Sequence, residues 1–162
     1  MLEFTDDQDV LCVRVEGPAD TTTAVDAVDF EVVGHDGSIR SNHHLRAVQL
    51  PISLVHLAPV AQALNGRGPL ADAAAAGLEV FASAPLHGGE IPGMVTPELS
   101  ELINPGWAPA EVALAVVASA AGVKCVLLST RNPEHWKQAA EAVGRPPLSR
   151  DVLRRVVDVL GT

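Results

Sequence analysis

The sequence of 162 residues contains no tyrosine, and its aromatic residues are three phenylalanines and two tryptophans. Lysine occurs only as Lys124 and Lys137, and 20 acidic against 11 basic residues give a formal net charge of −9. Nucleic acids and anionic membranes bind cationic surfaces, and single strands also stack on aromatic side chains. We therefore expect neither nucleic acid nor a membrane as a partner.

Long apolar runs are also absent, since no uninterrupted run approaches 18 residues, although 48% of the residues are hydrophobic. This composition indicates a single soluble globular domain. The chain does not open with a basic segment followed by an apolar stretch, so we expect no secretory signal and a cytoplasmic protein. Cys12 and Cys125 each lie in an apolar strand-like run and are predicted to be buried free thiols.

From about residue 44 onward, short apolar runs alternate with helix-like segments, which is typical of βα units and a parallel sheet. A proline near the start and a glycine just past the end mark two of the helices, at Pro69 and Gly77 and at Pro109 and Gly122. Strands are predicted over 46–52, 78–83 and 123–128, loop plus helix over 54–64, helices over 68–77 and 108–122, and a loop over 84–94.

Two further helices are predicted near the end of the chain. In the first, Trp136, Ala139, Ala140 and Val143 recur at helical spacing, with Trp136 as a core anchor. In the second, Ser149 is the N-cap. The inner stripe of that last helix is predicted to be Leu153, Val156, Val157 and Leu160.

The first 45 residues follow a different pattern. Strand-like runs over 10–17 and 29–40 are separated by a polar stretch, and Asp36-Gly37 is a turn signal. This segment is either an antiparallel cap, an edge pair, or an eroded remnant of a larger fold. We treat 1–162 as one domain, with a divergent strand segment over 1–45 and the α/β part over 46–162.

A phosphate-binding pattern follows the predicted strand over 123–128. Ser129, Thr130 and Arg131 stand immediately before Asn132 and Pro133, where a helix is predicted to begin. Hydroxyls, an arginine fork and the positive end of a helix dipole are all suited to phosphate.

Four blocks in the same order resemble the C-terminal half of an aldo-keto reductase, a (β/α)8 TIM-barrel family that uses NADPH to reduce carbonyls. They are "VQLPISL", "AAAAGLEVFASAPLHGG", the stretch from "APAEVALAVV" to "KQAAEAV", and "PLSRDVLRRVVDVL". The resemblance covers residues 46–162 and implies an α/β fold that is a partial, half (β/α)8 barrel. It also implies that the catalytic tetrad of aspartate, tyrosine, lysine and histidine is missing here.

By the same resemblance, five residues match cofactor-binding positions of the family. Gln49 matches the glutamine that holds the nicotinamide carboxamide, and Leu86 matches the leucine of the family's "SPLG". Ser129, Thr130 and Arg131 match the loop that meets the 2′-phosphate. Asn42 in "SNHH" is a weaker match to a residue that touches the nicotinamide.

Other cofactor contacts of the family are lost. Ser83 replaces a side chain that stacks on the nicotinamide, Ala84 a serine that bonds the pyrophosphate, and Gln138 and Ala139 a Glu-Asn pair that reads adenine. Each lost contact is worth roughly 1–3 kcal/mol. NADP(H) affinity is therefore expected to be weak or lost.

The histidines give no metal-site pattern, because the side chains of adjacent His43 and His44 diverge and no further ligand has suitable spacing. His87 is expected to be solvent-exposed at the barrel mouth. Neither Ser129 nor the group of Asp72, His87 and Glu90 forms a nucleophile–base pattern.

Half a barrel has open sheet edges and an uncovered inner face, so we expect a homo-oligomer or a partner chain that completes it. Three functional hypotheses follow. The chain is a non-catalytic structural, regulatory or interaction subunit, an NADPH-dependent oxidoreductase subunit whose catalytic residues come from a partner, or a decayed reductase without a selected role.

Overall fold

The computed structural model describes residues 2–6, 9–16, 29–33 and 46–160, with side chains described over 46–160. The N-terminal strands form an antiparallel sheet in the order β1-β2-β3, from β1 (Leu2–Asp6), β2 (Asp9–Glu16) and β3 (Asp29–Val33). The strand predicted over 10–17 is present as β2, and β3 matches the first part of the strand predicted over 29–40, whose remaining residues lie outside the described ranges; β1 was not predicted. Asp36-Gly37 and Asn42, His43 and His44 lie outside the described residues.

The second sheet is parallel and has the order β4-β5-β6, as the alternating pattern predicted. Its strands are β4 (Ala47–Pro51), β5 (Glu79–Ser83) and β6 (Val123–Val126). Backbone pairing continues beyond two of the strand ends, since Ile52 donates to the Ser83 carbonyl at 3.1 Å and Leu127 to the Ala82 carbonyl at 2.8 Å. The carboxyl ends of the three strands therefore lie at one edge of the sheet.

Helices connect the parallel strands and follow them, and the two that were predicted from the Pro/Gly punctuation are present over Pro69–Ala75 and Pro109–Ala118. Gly77, directly after the C-cap of the second helix, has the left-handed φ of +71° that such a helix end favours. The helices of the described residues are α1 (Ala58–Ala63), α2 (Pro69–Ala75), α3 (Ile91–Met94), α4 (Pro97–Ile103), α5 (Pro109–Ala118), α6 (Pro133–Val143) and α7 (Arg150–Leu160).

The loop predicted over 84–94 instead contains a 3-10 turn (His87–Gly89) and α3, and α4 follows it. Thr96 caps α4 by accepting a hydrogen bond from the Leu99 N–H at 3.3 Å. The backbone N–H of Glu98 and then the Thr96 hydroxyl hydrogen-bond the Glu98 carboxylate and lower its pKa below the ordinary value. The 3-10 turn, α3 and α4 each have at most seven residues, and so short a segment gives too little hydrophobic periodicity for a helix to be predicted from the sequence.

One face of the parallel sheet is buried beneath helices. Val48, Leu50, Val80 and Ala82 on this face are at most 8% exposed. The residues of α5 from 112 to 117 are all buried, which confirms that this almost wholly apolar helix is covered on most sides. The main core is thus a layer between the sheet and the helices.

The opposite face of the sheet is open within the described part of the chain. Gln49, which pairs with Phe81, is exposed, and Phe81 and its neighbour Cys125 are partly exposed. The prediction that Cys125 is buried is therefore wrong, because its position in the register places it on this open face. Cys125 is a free cysteine, and the side chain of Cys12 lies outside the described residues.

Helix α6 faces the core with a different stripe from the one predicted. Trp136 is 57% exposed and Val143 38% exposed, whereas Ala139 and Ala142 are buried. The prediction of Trp136 as a core anchor is wrong, and so is the inward placement of Ala140 and Val143. At 100° per residue the buried stripe is rotated by about a quarter turn from the predicted one. The two small alanines face the core, while the larger apolar residues face solvent.

Helix α7 closes the described chain and is attached to α1. The Val152 N–H donates to Ser149 Oγ at 3.3 Å, which confirms Ser149 as its N-cap. The guanidinium groups of Arg150 and Arg154 both donate to the Leu64 carbonyl at the end of α1. Leu153 and Val156 are buried and Val157 partly so, as predicted, but Leu160 at the end of the helix is 36% exposed and does not belong to the inner stripe.

Candidate functional site

A cavity of about 820 Å³ lies at the carboxyl ends of β5 and β6. The loop after β5, the start of α5, the segment after β6 and one face of α6 form its walls. Its lining consists of Ala84, Pro85, Leu86, His87, Gly88, Gly89, Pro92, Ala110, Glu111, Leu114, Leu127, Leu128, Ser129, Thr130, His135, Gln138 and Ala139. Ligands of parallel α/β sheets bind at this end of the strands.

A small hydrophobic cluster underlies the cavity. Leu114 of α5 and Ala139 of α6 are buried in it, and Leu86 and Leu128 pack against them. These four residues also line the cavity. The cavity wall is thus supported by packed side chains contributed by four separate parts of the chain.

The loop after β5 has unusual backbone geometry. Ala84 and His87 have φ values of +52° and +48°, in the left-handed region that side chains disfavour. The His87 N–H donates to the Ala84 carbonyl at 3.1 Å, so the two residues bound one tight turn. Both residues line the cavity, and such backbone strain is concentrated at functional sites in proteins.

At the start of α6, local side chains occupy the groups that would otherwise meet an anion. Asn132 Oδ1 accepts from the Glu134 N–H at 2.9 Å, and Thr130 Oγ1 accepts from the Asn132 N–H at 3.2 Å. The Glu134 carboxylate lies in the first turn, where its negative charge complements the helix dipole. Gln138 Nε2 reaches Glu134 Oε1 at 3.4 Å. The Glu134 N–H at this helix terminus is therefore already bonded within the chain.

Glu111 lines the cavity and also contacts residues outside the lining. Its Oε2 accepts from the Ala108 N–H at 2.8 Å, and its Oε1 lies 2.7 Å from Arg145 Nη2. The Arg145 guanidinium lies 4.4 Å from the centroid of the Trp107 ring. The negative charge of Glu111 is therefore balanced by a cation that does not line the cavity.

The cavity brings together three of the five residues predicted at the cofactor site, Leu86, Ser129 and Thr130. It also brings in Gln138, Ala139 and Ala84, at the positions of the predicted losses. Gln49 lies on the open sheet face, and Arg131 is exposed on the loop before α6; neither lines the cavity. His87 is exposed, as expected.

Sequence reasoning missed Glu111, Leu114 and His135 as wall residues. Glu111 and Leu114 lie three residues apart on α5, and His135 lies three and four residues before Gln138 and Ala139 on α6. The signal that could have found them is helical spacing from Gln138 and Ala139 rather than from Trp136. Alanine and glutamine contribute little to a hydrophobic pattern, so the sequence gives only a weak signal for the stripe of His135, Gln138 and Ala139.

No catalytic arrangement is evident among the described residues, where Ser129 makes no hydrogen bond to a histidine or a carboxylate. Over the same ranges, no group of three or more histidine, cysteine, aspartate and glutamate side chains is placed to hold a metal ion. None of the described helices has the length and apolar character needed to cross a bilayer.

The described residues form an α/β protein with a parallel sheet, helices on one face of that sheet and a cavity at the strand ends. No protein-family profile matches the chain, and no curated protein matches it. Among 44 similar chains of solved structures is the thermostable aldo-keto reductase Tm1743, crystallised with the inhibitor epalrestat, at a TM-score of 0.51 and 18% identity. The match covers 70% of this chain and 39% of that reductase, and at this identity it establishes a shared fold over the aligned part.

The residues present fit NADP(H) poorly. None of the cavity-lining residues is lysine or arginine, the side chains that form strong charge-assisted hydrogen bonds with a pyrophosphate and a 2′-phosphate. The α6 terminus is capped by Asn132 and carries Glu134. Arg131 is the cationic residue nearest to this terminus in sequence, and it lies outside the lining.

Proposed function

We propose that the chain is an aldo-keto-reductase-like protein with a degenerate NADP(H) site that acts as a non-catalytic structural, regulatory or interaction subunit. The observation that carries this proposal is the cavity itself. It retains Leu86, Ser129 and Thr130 at the strand ends but has no lysine or arginine in its lining. The sequence contains no tyrosine, the residue that donates a proton to the substrate in carbonyl reduction by aldo-keto reductases.

NADPH titration tests the proposal directly. With purified protein and cofactor fluorescence as the readout, we expect dissociation constants in the millimolar range or weaker, because the lost contacts amount to roughly 1–3 kcal/mol each. Arg131→Ala should change this weak affinity by less than about twofold, since a solvated arginine contributes little.

Arg155→Ala is the matched control, because Arg155 is exposed on α7, away from the cavity. Micromolar binding that is lost in Arg131→Ala and retained in Arg155→Ala would contradict a degenerate site. It would show instead that Arg131 reaches the phosphate when the cofactor is bound.

The open face of the parallel sheet favours a second candidate, an NADPH-dependent oxidoreductase subunit whose catalytic residues come from a partner chain. Gln49 is exposed on this face, and β4 and β6 each pair with β5 alone among the described strands. A second copy or another chain that covers this face would complete a barrel. Carbonyl reduction by a co-purified complex, and not by the isolated chain, would favour this candidate.

A further inference from the structure

The charges around the cavity disfavour an anionic ligand. Its lining includes Glu111, which is paired with Arg145, but no lysine or arginine, and Glu134 stands at the adjacent helix terminus. The Glu134 N–H, which such a terminus would otherwise offer to an anion, is bonded to Asn132. The chain as a whole carries a formal charge of −9. A phosphate or carboxylate entering here would be desolvated without a lysine or arginine partner, beside the imidazoles of His87 and His135 alone.

The same cavity is well suited to an apolar molecule. Its volume of about 820 Å³ lies within the range of small-molecule sites, which are concave and lined mainly by apolar side chains. Leu86, Leu114 and Leu128 supply a packed apolar wall. Ser129 and Gln138 add neutral hydrogen-bonding groups, and the turn from Ala84 to His87, which contains Leu86, forms part of the same lining.

We infer that this cavity binds an uncharged, phosphate-free and mainly apolar small molecule, whose polar group meets Ser129 and Gln138. This inference goes beyond the proposed function, since a degenerate cofactor site need not bind any other ligand. The apolar wall supplies most of the affinity through desolvation, and the neutral polar groups orient the ligand.

Two fluorescent probes that differ in charge test the inference: the neutral dye Nile red and the anionic dye 1-anilinonaphthalene-8-sulfonate. We expect saturable binding of Nile red at one site, at least about tenfold tighter than binding of the anionic dye. Ala110→Phe, which fills the cavity from α5, should weaken Nile red binding by at least about tenfold. Ala74→Phe, at an exposed position on α2, should leave it unchanged.

A charge variant separates this inference from general dye adsorption. Gln138→Lys places a cation in the lining and should reduce the preference for the neutral dye by at least about tenfold. Ala140→Lys, on the exposed face of the same helix, should leave the preference unchanged. Circular dichroism checks folding, and the smaller Ala110→Leu replaces Ala110→Phe if the latter does not fold.

The inference is overturned if Nile red does not bind, if a folded Ala110 variant binds it as well as the original chain, or if the anionic dye binds equally tightly. Micromolar NADPH binding would instead contradict the proposed function. The two failures are therefore distinguishable in the same preparation.

Discussion

Two serine hydroxyls in the described structure differ in what they contribute. Ser53 is 2% exposed, and its Oγ is buried without a hydrogen-bond partner. Ser119 Oγ accepts from the Leu148 N–H at 2.8 Å and so joins the end of α5 to the segment before α7. Desolvation of a hydroxyl is compensated at Ser119 but not at Ser53.

Alanine substitution should therefore have opposite effects at the two serines. Ser53→Ala should raise the free energy of unfolding by about 1 kcal/mol, because it removes an unpaired buried polar group. Ser119→Ala should lower it by about 1 kcal/mol, because it leaves the Leu148 N–H without its acceptor. Urea denaturation followed by circular dichroism measures both, and a destabilised Ser53→Ala would show that this hydroxyl has a partner in solution.

At the scale of elements, Arg145 holds α5 and α6 together beside the cavity. It follows α6 in sequence and bonds Glu111 in the first turn of α5, while its guanidinium lies against Trp107. The Glu111 and Arg145 side chains are only 17% and 30% exposed. Such partly buried pairs are screened less than surface pairs. The pair is thus placed to set the separation of two cavity walls.

A double-mutant cycle tests this pair. Glu111→Gln and Arg145→Met should show a coupling of about 1 kcal/mol in the free energy of unfolding, the sign being that of a favourable pair. The neutral glutamine retains an oxygen that can accept from the Ala108 N–H, so the cycle reports mainly the charge interaction. A coupling indistinguishable from zero would mean that the packing of Trp107, and not the ion pair, joins the two helices.

At the scale of the whole molecule, the described residues cover only one side of the parallel sheet. Val48 and Val80 are buried beneath helices, while Gln49 and Phe81 lie on the open face of the described sheet. An open, partly apolar face favours association. So do β4 and β6, each of which has one free edge within the described sheet. Trp136 and Val143 form a second exposed apolar surface on α6.

We predict that the open sheet face, rather than the α6 surface, is covered by a second copy of the chain. Light scattering after size-exclusion chromatography should then give a mass above that of a monomer. Phe81→Glu should return the protein to a monomer, because a charge buried at an apolar interface costs several kcal/mol. Trp136→Glu is the control and should remain assembled; dissociation by that variant alone would place the interface on α6.

Much of the fold could be predicted from the sequence because its signals are local. Proline at the starts of α2, α5 and α6, Gly77 at a helix end, and Ser149 as an N-cap all act through the backbone of neighbouring residues. The three parallel strands were predicted because short apolar runs alternate with helix-like segments along this part of the chain. Of the candidate site, Leu86, Ser129 and Thr130 were predicted to lie together, through family resemblance and not through periodicity.

The orientation of elements was decided only by the tertiary structure. In α6, Trp136 and Val143 dominate any hydrophobic pattern, yet Ala139 and Ala142 pack in the core because small side chains let α6 approach α5 closely. The register of β6 placed Cys125 on the open face, although Val123, Val126 and Leu127 around it are apolar.

Apart from β1, α3 and α4, the sequence alone thus determined the kinds of elements, their order and the chemical groups at the strand ends, because capping and turn formation depend on nearby residues. Tertiary packing decided which of those groups share a cavity. It brought Glu111 and His135 to the wall, left Gln49 and Arg131 outside the lining, and placed no lysine or arginine there. These outcomes depend on contacts between residues far apart in the chain, which no local pattern specifies.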